Sequence, residues 1–70
     1  MESFAPLSLE EQQRIAADTA AFHAMCLSRD GVPEHKIREL ERAQPVTMRQ
    51  YFWQRFRYWQ RLYRNAFSLS

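Results

Sequence analysis

This chain is short of the residues that break or brace a fold. Its 70 residues include one glycine, three prolines and one cysteine. The single glycine, few β-branched residues and no period-two alternation argue against a sheet. No glycine-rich loop is present to cradle a nucleotide phosphate. The lone Cys26 excludes an internal disulfide and supplies no zinc framework. No apolar run approaches the ~20 residues of a membrane span. Met1–Leu7 also lacks the basic start and apolar stretch of a secretion signal. The resulting expectation is a soluble, cytoplasmic protein, whose one thiol suits a reducing compartment.

The last shortage is of negative charge in one region. Residues 48–70 carry Arg49, Arg55, Arg57, Arg61 and Arg64 and no acid, whereas residues 1–47 carry five basic and eight acidic side chains. The overall charge of +2 conceals this division. Such asymmetry points to nucleic-acid, membrane or acidic-partner binding, or to neutralisation within the fold or across a dimer.

What remains is helix-forming sequence, bracketed by its punctuation. Ser8-Leu9-Glu10-Glu11 has the form of a capping box, and Asp30-Gly31 stops the segment it opens. A first helix over 9–29 follows. Ile15, Thr19, Phe22 and Cys26 share one face of it, and Ala16, Ala20, Ala24 and Leu27 another, which predicts contact on two sides. Pro33 opens a short second helix, 33–43, with Ile37 and Leu40 apolar, Glu34 and Arg38 spaced to pair, and Pro45 ending it. Thr47-Met48-Arg49-Gln50 reads as a second capping box for a third helix over 48–67. Residues 1–7 and 68–70 read as flexible ends of a single helical domain.

The third helix is the most unusual segment. Eight of the seventeen residues from Tyr51 to Phe67 are aromatic. At ~100° per residue, Phe52, Phe56, Trp59, Tyr63 and Phe67 form one continuous stripe, read as core or as a dimer seam. Tyr51, Tyr58 and Leu62 widen it on one flank. Trp53 lies on the other, beside Arg49, Arg57, Gln60 and Arg64. Two short partner helices cannot cover so wide an arc. The surplus therefore predicts an interface, because Trp, Tyr and Arg dominate binding hot spots. Trp53, Arg57, Tyr58, Arg61 and Arg64 are the expected contacts to a protein partner. Arginines among aromatics also suit nucleic acid, through Arg38, Arg49, Arg55 and Arg57, and this is the alternative reading. A membrane-surface helix would want a more polar opposite face.

The stretch Cys26–Leu40 places Gly31 between two helices, with Val32 after it and Ile37 and Leu40 spaced to pack the pair. Gly31-Val32 with Ile37-Arg38 and Glu41 resembles the corresponding stretch of MerR-type regulators. The resemblance covers about fifteen residues and implies a DNA-binding helix-turn-helix. The chain departs from that pattern at Leu27, where a small residue is usual, and at Asp30, where an apolar one is. No wing-like segment follows, and Glu34, Glu39 and Glu41 make the second helix acidic for a phosphate backbone.

Catalysis and metal binding find no constellation. His23 and His35 sit on different predicted helices, and a His23–Cys26 pair lacks an orienting third group. No enzyme activity, cofactor or metal is expected. The fold class expected is all-α: two long antiparallel helices bridged by a short one, paired as a homodimer. The expected function is a small regulator that occupies a protein partner, such as an inhibitor or anti-activator of a larger bacterial or phage regulator.

Overall fold

The computed structural model describes residues 6–68, with side chains described as far as Arg64. The ends Met1–Ala5 and Leu69–Ser70, called flexible above, lie outside the described residues, as does the side chain of Phe67. The architecture is all-helical: α1 spans Leu9–Arg29, α2 Glu34–Arg42 and α3 Arg49–Ser68.

Local chemistry fixes the first boundaries. Ser8 Oγ accepts from the Glu11 backbone N–H at 3.1 Å, and Glu11 Oε1 accepts from the Ser8 N–H at 2.9 Å. The capping box is thus complete. At the other end Gly31 adopts φ 90°, where a side chain would be strained. That turn lets Val32 N–H reach the Leu27 carbonyl and Gly31 N–H the Ser28 carbonyl, the paired bonds of a Schellman ending. Val32 and Leu27 both pack against the core beside it. On the exposed surface of α2, Arg38 pairs with Glu34 at 2.9 Å.

The entry to α3 differs from the sequence reading. A 3₁₀ turn, Val46–Met48, precedes it, with Met48 N–H bonded to the Pro45 carbonyl at 2.8 Å. Thr47 sits inside that turn, so it forms no capping box. Arg49 instead reaches backward, donating to the carbonyls of Gln44 (3.2 Å) and Arg42 (3.1 Å). A cation is thereby placed on the open carbonyls at the C-terminal end of α2.

The direction of the long helices also corrects the expectation. Contacts climb together along both: Asp18 meets Arg55 and Trp59, Phe22 meets Trp59 and Tyr63, and Arg29 meets Tyr63. Helices α1 and α3 therefore run in the same sense and not antiparallel. The reason is that two stops, at Gly31 and at Pro45, reverse the chain twice, and α2 is the return stroke.

The core sits where three alanines let α3 approach. Ala17, Ala21 and Ala24 are fully buried, and Met25, Ile37 and Met48 nearly so, around Phe52, the one large side chain among the described residues wholly removed from solvent. This alanine ridge overlaps the second apolar face read from the sequence, sharing Ala24 with it, and adds Ala17 and Ala21. Ile15, Thr19 and Ala16 point outward, while Ala20 and Leu27 are half-buried beside the ridge. Burying a phenylalanine contributes roughly 1.5–3 kcal/mol from transfer alone. A domain of this size holds a few to ~10 kcal/mol in total. Phe52→Ala should therefore cost about 3–5 kcal/mol and leave much of the chain unfolded in urea titration followed by circular dichroism. Ala21→Leu, which pushes the helices apart, should cost about 1–3 kcal/mol.

Candidate functional site

The aromatic helix presents three sides to three environments. Its central stripe faces α1: Phe52 is buried, and Phe56, Trp59 and Tyr63 are half-buried. Its outward side carries Gln50, Gln54, Arg57 and Arg61, all exposed. The two flanks between these sides have different fates.

On the flank of Tyr51, Tyr58 and Leu62 lies a polar node that the sequence reading missed. One oxygen of Asp18, Oδ1, accepts from Arg55 Nε at 2.8 Å and from Trp59 Nε1 at 2.8 Å. The Arg55 guanidinium also lies over the Tyr58 ring at 4.2 Å and near the Trp59 ring at 5.4 Å. The hydrogen bond to Asp18 raises the pKa of Arg55 above its ordinary value, against the opposing effect of burial. Arg55 is thus cationic and fixed, an anchor between helices and not a free contact. The signal was present in the sequence: Asp18 is the only acid in the apolar stretch between Ile15 and Leu27. Around this node Ile15 (54% exposed), Phe22 (38%), Tyr58 (43%) and Leu62 (47%) leave apolar surface in solvent.

On the other flank Trp53 is half-buried, its ring edge-on to Phe52 at 5.1 Å and to Phe56 at 5.2 Å. It is thus part of the packed aromatic cluster and not clear of it. Its remaining surface lines a cavity of about 240 Å³ with Ser28, Val32, Glu34, Ile37, Phe56 and Gln60. A second cavity, of about 330 Å³, lies between Met25, Ser28 and Arg29 of α1 and Gln60, Tyr63 and Arg64 of α3. Ser28 and Gln60 line both, so the two cavities adjoin and together make up the grooved surface between α1 and α3. The groove exists because α2 is only nine residues long and covers only the first turns of α3.

The residues singled out from sequence therefore separate. Trp53 and Arg64 line the groove, with Gln60 between them. Tyr58 lies on the opposite flank, and Arg57 and Arg61 lie on the outward side. Of the arginines considered for nucleic acid, Arg38 is paired with Glu34, Arg49 caps α2 and Arg55 is paired with Asp18. Arg57 is exposed. His23 is exposed and Cys26 half-buried, and among the described residues no three of His, Cys, Asp and Glu gather as metal ligands. Among the described residues no helix is long and apolar enough to cross a membrane.

The Asp18 node makes its own prediction. Asp18→Ala strands a guanidinium and an indole N–H, and should destabilise the fold by about 1–3 kcal/mol. In a double-mutant cycle with Arg55→Met the two losses should be non-additive by at least ~0.5 kcal/mol, measured by chemical denaturation. Comparison with protein-family models, with curated proteins and with solved structures returns no match.

Proposed function

We propose that this chain is a small non-catalytic regulatory protein that acts by seating a segment of a partner protein in the groove of Trp53, Gln60 and Arg64. The observation that carries this reading is the groove itself, with an aromatic and apolar floor and arginine at its rim. Interfaces draw their affinity from that combination: large rigid rings in a desolvated pocket, with planar donors around it. Stoichiometric occupation of a larger regulator, inhibiting it or blocking its activation, is the mode such a site supports.

Nucleic acid is the weaker reading, on a specific ground. Two of the four arginines that would serve phosphates, Arg49 and Arg55, are held by partly buried partners, and Arg38 sits in an exposed pair with Glu34. The helix that would enter a major groove exposes Glu34 and Glu39 beside its cations.

The immobilised chain should retain a protein from lysate after nuclease treatment and with little salt dependence. Gln60→Trp, which fills the groove from an exposed position, should abolish that capture. A complex that disappears with nuclease, or weakens steeply with salt, would overturn the proposal.

Self-association is a second part of the proposal. Ile15 and Phe22 of α1 and Tyr58 and Leu62 of α3 expose apolar surface, and none of them lines the groove. Two-fold pairing would bury it while leaving the groove open. Sedimentation equilibrium at micromolar concentration should give twice the 8.5 kDa of one chain. A monomeric mass there would exclude this arrangement.

A further inference from the structure

Exposed arginines are treated in two ways along this chain. On α1 and α2, Arg14 and Arg38 each have an acid one turn before them, Glu10 and Glu34, at 2.9 Å. On the outward side of α3, Arg57 and Arg61 stand one turn apart, and no acid lies within reach along the helix. Both are exposed, and among the described residues neither holds a hydrogen bond or an ion pair. Like charges at that spacing repel, where an acid would attract. Arg57 is also one turn from Trp53 and from Gln60, which both line the groove. We propose that the protein segment seated in the groove crosses this outward side of α3 and carries two carboxylates there, placed to meet Arg57 and Arg61. This deepens the functional reading above and rests on it.

Charge complementarity names the occupant. Four residues of helix advance about 6 Å along the axis. Two acids one turn apart on a partner helix, or two residues apart on an extended strand, have nearly the same spacing. Guanidinium forks match carboxylates through paired hydrogen bonds. From Met48 to the end of the chain no acid competes for them. A nucleic-acid strand fits less well, because phosphate-driven binding draws on several cations. Gln50 and Gln54 continue the same side without charge. A second copy of this chain fits poorly too. Glu10, Glu11, Asp18, Asp30 and Glu34 already face partners within the fold. Glu39 and Glu41 are left, and their two-residue spacing sets them on different faces of α2.

The test uses the full chain and random linear peptides displayed for selection on it. Recovered peptides and a single-stranded oligonucleotide are then measured by fluorescence anisotropy. Recovered sequences should carry Asp or Glu in pairs two or four residues apart. The double variant Arg57→Glu with Arg61→Glu, whose helicity is checked by circular dichroism, should weaken their binding by at least about tenfold. Changing their acids to lysine should restore affinity for that variant. Arg57→Gln with Arg61→Gln, which adds no opposing charge, should weaken them in the same direction but less. Peptides that lack paired acids and ignore the reversal, yet are lost with Gln60→Trp, would overturn the carboxylate contact and leave the groove as a protein site. Peptides lost on reversal but indifferent to Gln60→Trp would overturn the groove reading, and with it the claim that one segment spans both. An oligonucleotide bound more tightly than any peptide and released by the reversal, or no enrichment at all, would also overturn both.

Discussion

Everything in this molecule depends on how closely α3 can lie against α1. Ala17, Ala21 and Ala24 are wholly buried, and their small side chains let the Phe52 ring fill the gap between the helices. A ridge of larger residues would hold the helices apart and leave Phe52 without complete cover. The remaining core, Met25, Ile37 and Met48, closes around that contact from α1, α2 and the turn before α3. In so short a chain no alternative core exists to compensate for its loss. The polar Asp18–Arg55–Trp59 node then fixes the rotation of α3, because one carboxylate oxygen must meet two donors from successive turns. That rotation decides which aromatics face inward and which remain at the edges.

The candidate site follows from the same constraint. Once α3 is set, α2 is too short to cover its full length, and the groove begins where that cover ends. The arginines divide by position along this frame. Arg49 and Arg55 are consumed by structure, the first on the carbonyls at the end of α2 and the second on Asp18. Arg64 and Arg29 line the groove. The basic character of the C-terminal region is thus partly architectural. Arg57, Arg61 and Arg64 remain exposed, so only part of the charge of that region stands on the surface.

Much of the fold was legible because its signals are local. The Ser8 capping box and the Gly31 ending depend on neighbours within a few residues, and both form with the bonding that their spacing implies. The all-helical class likewise follows from periodicity and from scarce glycine. Long-range features were less visible. The sense of α3 relative to α1 depends on two chain reversals, not on any motif, and the antiparallel expectation failed there. The α1 faces were only partly placed: Ala20, Ala24 and Leu27 pack in or beside the core and Phe22 meets α3, but Ala17 and Ala21 are too small to mark a stripe against Ile15. Asp18 was legible in principle as the single acid in an apolar stretch, but its partners lie 37 and 41 residues away. Trp53 and Arg64 were picked out as surplus to the central stripe. The groove they line needs Ser28, Arg29 and Glu34 from other elements, and no spacing rule joins those to α3.

The two tryptophans offer the most direct test of the central claim, that the groove is where a protein segment binds. Trp59 donates its indole N–H to Asp18 on one flank, while Trp53 lines the groove on the other. In ¹H–¹⁵N spectra of the intact chain titrated with a peptide selected on it, the Trp53 indole resonance should shift and the Trp59 resonance should stay nearly unchanged. A shift confined to Trp59, with Trp53 unmoved, would place binding on the opposite flank and contradict the account.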